Sequence, residues 1–350
     1  MPCIAPISKH SDTPVSFEEK TLHAGFAGAR VLVTGGLGFI GSNLALRLCE
    51  SGAAVTLLDN LEPSYGGNRF NISPIAQRVR VVIGDMRDEH LVRELLAGQD
   101  YLFNLAGQTS HVDSMQDPAK DLEANVRAQL TVLEACRKVN AGVRVVFAST
   151  RQVYGKPAYL PVDEAHPLKP VDINGIHKIA GEMYHQLYAQ VYGLAACVLR
   201  LTNTYGPRMR VRDDRQTFLG TWIRRLLDGE KLQVFGDGRQ LRDFNYVDDV
   251  VRSLMLCALA RESAGKVYNL GSREVLSLEE LARKLVAAHG SGRYELVEFP
   301  HDRKRIDIGD YYGSCARIER EIGWRAQVDL DEGLRQTLAY FSSVGEHYWP

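Results

Sequence analysis

The sequence predicts an α/β protein: a doubly wound parallel sheet carrying a smaller C-terminal lobe. Three observations lead there. Short β-rich apolar runs alternate with amphipathic stretches from Arg30 to about Leu201, a glycine-rich turn follows the first run, and the alternation breaks after Tyr205-Gly206-Pro207. The runs are Arg30–Thr34, Ala54–Leu58, Val79–Ile83, Tyr101–Leu105, Val143–Phe147 and Ala196–Arg200, with helical patterns near 41–51, 88–97, 117–140 and 174–192 between them. Strand–helix–strand repetition demands parallel strands with crossover helices on both faces.

Beyond Pro207 the pattern predicts a helix near 216–228, a strand at Leu232–Phe235, a helix over about Val247–Arg261 and a strand at Val267–Leu270. A helix near 277–289, a strand around 294–298 and a helix near 331–342 follow. A length of 350 residues suits two lobes. Residues 1–28 read as a loosely ordered extension. Residues 29–204 form the first lobe and 245–271 return to it, while 205–244 and 272–350 build the second. Ligands of open α/β sheets bind at the carboxyl ends of the strands, so the crevice between the lobes is the expected site.

Composition excludes other classes. Forty-two basic and 43 acidic residues leave a formal charge of −1, so no overall field favours nucleic acid or an anionic membrane. No apolar run approaches the roughly 18 residues of a membrane span, and the first 28 residues hold no apolar signal core. The six cysteines are scattered without C-x-x-C pairs or histidine clusters, which argues against a disulfide framework or a metal site and fits a reduced, cytoplasmic chain. Arg208, Arg210, Arg212 and Arg215, with Arg224 and Arg225 beyond Trp222, are interrupted by Asp213 and Asp214; a substrate-closing loop suits them better than an RNA surface.

The glycine turn carries the first chemistry. Gly35, Gly38 and Gly41 lie between the first strand and a helix, in Gly35-Gly-Leu-Gly38-Phe39-Ile40-Gly41. Gly35 permits the tight turn, Gly38 the approach of a pyrophosphate, and Gly41 close packing of helix on strand, with the helix N-terminus facing the negative charge. Asp59, 24 residues after Gly35, ends the second strand where a carboxylate holds both ribose hydroxyls and repels a 2′-phosphate. These features identify a dinucleotide-binding (Rossmann) unit and favour NAD over NADP. Asn60 adjoins Asp59. Asp85, with Met86, closes the third strand, either at an adenine edge or as a plain loop residue. Leu105, Ala106 and Gln108 follow the fourth strand against the cofactor.

Together with Ala124-Asn125-Val126, Ser149-Thr150-Arg-Gln-Val-Tyr154-Gly155, Arg200-Leu-Thr-Asn203-Thr-Tyr205-Gly206-Pro207, Gly236-Asp-Gly238, Arg242-Asp243-Phe244, Tyr246-Val-Asp248-Asp249 and Gly323-Trp324, these residues resemble the extended short-chain dehydrogenase/reductase family, especially its nucleotide-sugar epimerases and dehydratases. The resemblance runs from Arg30 to about Phe341. It implies a nucleoside-diphosphate sugar as substrate and a tightly held NAD that transiently oxidises a sugar carbon. It also implies Asn203 as a substrate-binding residue, Arg242 as a diphosphate ligand and Arg305 as a second one, with Arg303 close enough to compete for that register. A guanidinium fork suits phosphate. Helices near 117–139 and 172–192 resemble those of a four-helix homodimer interface.

One departure stands out. The family's Tyr-x-x-x-Lys pair works beside a Ser or Thr; here Thr150 and Lys178 hold two of those positions, and Asn174 stands where the tyrosine is expected. An amide donates and accepts hydrogen bonds but is no base near neutral pH. Candidate replacements are His177, three residues on, whose imidazole type suits proton transfer; Tyr154, beside the hydroxyl motif; and His111, on the loop after the fourth strand, which also borders the sugar. Asp172 reads as a helix cap. The acidic pair that 4,6-dehydratases carry after the motif's threonine is Arg151-Gln152 here, which argues against ordinary dehydration; Arg151 suits a carboxylate, an extra phosphate or a developing enolate, or a loop ion pair. The leading expectation is an NAD-dependent epimerase using non-standard acid/base residues, with a lyase, or a silent protein binding both NAD and nucleotide sugar, as alternatives.

Overall fold

The computed structural model describes residues 19–62 and 65–349. Twelve strands are found among them: β1 (Arg30–Thr34), β2 (Ala54–Asp59), β3 (Arg80–Ile83), β4 (Tyr101–Asn104), β5 (Arg144–Thr150), β6 (Ala196–Leu201), β7 (Asn203–Tyr205), β8 (Leu232–Phe235), β9 (Leu241–Tyr246), β10 (Val267–Asn269), β11 (Val275–Ser277) and β12 (Tyr294–Val297). Seven form the central sheet in the order β10-β6-β5-β4-β1-β2-β3, every pair parallel. Helices cover both faces, so the inner strands are apolar along their whole length: the four residues of β1 after Arg30 are all buried. The strand order reverses at β1, which opens a crevice at its carboxyl end, between β2 and β4.

The remaining strands build the second lobe. β7 runs parallel to β9, β11 pairs antiparallel with β9, and β8 pairs with β12. Its own core gathers Tyr205, Trp222, Phe244, Leu281, Leu334 and Phe341. The Val247–Leu259 helix packs on the central sheet and β10 pairs with β6, and Val247, Leu254 and Tyr268 join the first core.

Two boundaries differ from expectation. Residues 1–18 of the expected extension lie outside the described residues, but its end is not loose: Leu22 and Phe26 are buried in the first core. The Ala316–Ile322 helix lies in the segment assigned to the second lobe, yet Ile318, Ile322 and Trp324 pack into the first core. Asp249 holds them there. Its backbone carbonyl accepts from Trp324 Nε1 at 2.9 Å, and its carboxylate accepts from the Gln327 and Val328 amides. The helix expected over 117–140 is interrupted: Pro118–Leu122 and Ala128–Val139 flank a π-helical stretch, Glu123–Arg127, which turns Asn125 inward. Among the described residues no helix is long and apolar enough to cross a membrane.

The glycine turn is fixed by contact distance. A Cβ at Gly41 would lie 2.2 Å from the Gly35 carbonyl oxygen. By contrast Gly193, the left-handed cap of the Ile173–Tyr192 helix, has φ +70° and open space around it. Gly41→Ala is therefore expected to cost about 3 kcal/mol or more, against about 1 kcal/mol for Gly193→Ala, measured by urea unfolding.

Candidate active site

The crevice is lined from the first lobe by Gly35, Gly38, Phe39, Ile40, Gly41, Asp59, Asn60, Asp85, Met86, Leu105 and Ala106. Gly35 has φ +67°, and a Cβ there would meet the Ala106 backbone at 3.0 Å, so the turn after β1 and the loop after β4 touch. Asp59 ties the turn to the end of β2: its carboxylate accepts from the Leu37 amide at 3.0 Å and the Leu61 amide at 2.9 Å. Burial raises its pKa and those two amides work against the rise. A carboxylate has about four lone-pair sites, so Asp59, which lines the cleft, retains acceptor capacity beyond those two amides. Asp85 is gripped by Arg87 through two bonds of 2.9 and 2.7 Å, which hold its carboxyl below the usual range. Asn60 accepts from the Glu62 amide.

At the floor of the cleft Thr150 ends β5 and Lys178 projects from the Ile173–Tyr192 helix. The Thr150 hydroxyl accepts from the Gln152 amide at 3.2 Å, capping the short 3₁₀ turn Arg151–Tyr154. Lys178 Nζ donates to the Ala148 carbonyl at 3.2 Å and lies over the Phe147 ring. Burial lowers its pKa to about 8, against the pull of Asp121 and Glu182.

Asn174 also borders the cleft, but its amide is engaged in the protein. Nδ2 donates to the Gln108 carbonyl at 2.8 Å and to Asp121 Oδ2 at 3.1 Å. Gln108 itself does not line the cleft; its side chain donates to the Ser110 carbonyl, and its own carbonyl accepts from both Asn125 and Asn174. Asp121 is 1% exposed and also pairs with His177 Nδ1 at 2.6 Å.

The candidate bases separate. His177 turns to Asp121 and is not among the cleft-lining side chains. Tyr154 is fully buried away from the cleft, and its hydroxyl donates to Asn269 Oδ1 at 2.6 Å and accepts from Arg200 at 2.7 Å. That network commits the Tyr154 hydroxyl to Asn269 and Arg200 beneath the cleft-lining turn. His111 does line the cleft, with its side chain 31% exposed and Nδ1 3.1 Å from the buried carboxylate of Asp172. The nitrogen makes no hydrogen bond to it in this geometry; catalytic hydrogen bonds commonly tighten only once substrate is bound. Asp172 is the expected helix cap, accepting from the Gly175 amide at 2.7 Å, and it also accepts from Gln152 Nε2 at 3.0 Å. Burial pushes its carboxyl up, but the His111, Gly175 and Gln152 contacts together hold it below the ordinary range.

On the second-lobe side Asn203 and Arg151 line the cleft, joined by a 3.0 Å bond from Arg151 Nη2 to Asn203 Oδ1. Arg242 does not line it. Its guanidinium donates to the Leu241 and Gly309 carbonyls and lies 3.5 Å from Asp307, and burial lowers its pKa to about 10. Arg305 is exposed at the end of the His301–Lys304 helix, while Arg303 pairs with Asp214, so neither reaches the cleft floor here. Sequence reasoning missed Glu62, Tyr65, Lys120, Gln216 and Thr217, which border the cleft from irregular segments or helix edges. It also missed Asp121, which no local pattern marks as buried.

A family model described as the NAD dependent epimerase/dehydratase family matches residues 31–271. The chain belongs to that family. It is 33% identical over 318 residues to a putative UDP-glucose 4-epimerase of Methanocaldococcus jannaschii, covering 89% of this chain and 98% of the relative. A dTDP-glucose 4,6-dehydratase of Streptomyces griseus is 35% identical over 318 residues, covering 89% and 93%. A solved epimerase from Methanothermobacter thermautotrophicus superposes with a TM-score of 0.86 at 28% identity, covering 93% of this chain and 95% of its own. The enzyme is NAD-dependent, and its residues suit that cofactor: the glycine turn leaves no room for side chains, Asp59 keeps free lone pairs, and Lys178 presents an ammonium with one carbonyl partner.

The buried ammonium gives a pH signature. Lys178 in the fold has a pKa of about 8, below its ordinary 10.5. Between those values the unfolded chain binds more protons, so stability rises with pH there, whereas below about 8 the full penalty stands. Relative to Lys178→Met, the cofactor-free protein is expected to gain on the order of 3 kcal/mol between pH 8 and 10.5, read by urea unfolding at each pH.

Proposed function

We propose that the enzyme epimerises a nucleoside-diphosphate sugar through transient oxidation of a ring carbon, with His111 and Asp172 handling the proton that a tyrosine would otherwise take. The observation that carries this reading is the division of labour on one helix: Asn174 is committed to Gln108 and Asp121, while Asp172 backs a histidine that faces the cleft. Bound NAD supplies the acceptor for the sugar's hydride and its return. Thr150 orients the reacting hydroxyl, His111 Nε2 accepts its proton, and Asp172 steadies the resulting imidazolium. Lys178 holds the nicotinamide ribose, and Asn203 the sugar nucleotide; Arg242 and Arg305 meet the diphosphate after releasing their present positions.

Relatives include both epimerases and dehydratases, and the cleft favours the former. The carboxylates among the described lining residues are Asp59, Glu62 and Asp85, all on the glycine-turn side. None stands beside Thr150 to protonate a departing hydroxyl. His111→Gln is expected to lower kcat by about 100-fold or more while NAD content and KM change little. Asp172→Asn lowers kcat less and shifts the pH–rate profile. Unchanged turnover in His111→Gln overturns the assignment; tight sugar-nucleotide binding without turnover in the wild type supports a silent binding protein instead.

We also read the enzyme as a homodimer in a reducing, cytoplasmic setting. Ile176, Met183, Leu187 and Val191 form an exposed apolar stripe on the Ile173–Tyr192 helix, flanked by Met115, Leu122 and Leu130 of neighbouring helices. Met183→Glu with Val191→Glu is expected to convert a dimer to a monomer in sedimentation velocity.

A further inference from the structure

Arg151 makes no ion pair among the described residues, although the carboxylates of Asp243, Asp307 and Asp172 lie close enough to attract its charge. It lines the cleft directly after Thr150, its guanidinium stacked 5.1 Å over the buried Tyr311 ring. Nη2 donates to a neutral amide, Asn203 Oδ1, and Nη1 is buried with no hydrogen-bond partner. Neighbouring arginines are compensated: Arg87 by Asp85, Arg200 by Glu182, Arg210 by Asp213, Arg303 by Asp214. The nearby buried carboxylate of Asp243 is occupied by the Thr202 hydroxyl at 2.5 Å and the Gly313 amide at 3.0 Å, and no ion pair to Arg151 is found among the described residues.

A desolvated guanidinium with an open donor is costly unless an anion completes it. Asn203 is itself fixed by donating Nδ2 to the Asp243 carbonyl at 3.0 Å, so its Oδ1 stays on Nη2 and leaves Nη1 without a partner in a side chain that lines the cleft. Arg151 directly follows Thr150, and both line the cleft, so on the proposed reading an anion completing the guanidinium would belong to the sugar.

We propose that Arg151 is the carboxylate-binding residue of the sugar subsite, and that the substrate is a nucleotide-linked sugar acid. This rests on reading the cleft as a nucleotide-sugar site. The charge match also explains why the position carries Arg and not an acid: a carboxylate side chain there would repel such a substrate.

The test is calorimetric binding to the NAD-loaded enzyme of UDP- and GDP-linked hexoses, the matching hexuronic acids and the free nucleoside diphosphates. The hexuronate of one nucleotide series is expected to bind about 10- to 100-fold more tightly than its hexose. Arg151→Gln is expected to erase that preference while leaving diphosphate affinity within about twofold, and Arg151→Lys to keep part of it. Equal binding of hexose and hexuronate by the wild type overturns the proposal and leaves the nucleotide-sugar reading intact. Equal weakening of hexuronate and free diphosphate by Arg151→Gln also overturns it, assigning the guanidinium to the diphosphate. Failure of every nucleotide compound to bind overturns both readings.

Discussion

The buried carboxylate of Asp172 is the constraint on which the site is built. It caps the Ile173–Tyr192 helix, accepts from Gln152 on the turn after β5, and lies 3.1 Å from Nδ1 of His111, the first residue of the His111–Gln116 helix after β4. One acid thus joins three elements that converge at the carboxyl edge of the sheet. By fixing where the helix begins it also fixes the height at which Asn174 and Lys178 meet the cleft. Its side chain is fully buried, and loss of an N-cap alone typically costs about 1 kcal/mol; here the same loss also releases a histidine and a glutamine.

A second buried acid, Asp121, fixes the side chains of Asn174 and His177. Asp121 takes hydrogen bonds from Asn174 and His177, drawing both toward the helix pair Pro118–Leu122 and Ile173–Tyr192. The same Asn174 amide holds the Gln108 carbonyl, so the loop after β4 is pinned to the helix. Asn174 therefore serves as a structural link between this helix, the loop after β4 and Asp121. The histidine that borders the cleft, His111, instead lies 3.1 Å from the helix cap Asp172.

Much of the first lobe was legible because a strand covered on both faces must be apolar throughout, and because the glycine turn follows from close packing. The small sheet of the second lobe was not. β9 reads Leu241-Arg-Asp-Phe-Asn-Tyr246, and its buried Arg242 and Asp243 mask a strand whose partners lie far away in the chain. The π-helical stretch left no trace either, since it answers to the Gln108 carbonyl that Asn125 reaches. In the site, Asp59 was legible from its place at the end of the second strand, whereas Thr150 and Asn203 were read from motifs that resemble the family's. Helical spacing made His177 attractive, but its ring follows Asp121, a partner distant in sequence. The same distance hid the pairing of His111 with Asp172.

The most direct test of proton transfer through His111 is the pH dependence of sugar oxidation in a single turnover. It is followed by the absorbance of reduced nicotinamide in the NAD-loaded wild type and in His111→Gln. The account predicts a wild-type rate governed by an ionisation that vanishes in the variant, with oxidation slowed about 100-fold. Equal rates and the same pH profile in both proteins would contradict it and return the proton to another group in the cleft.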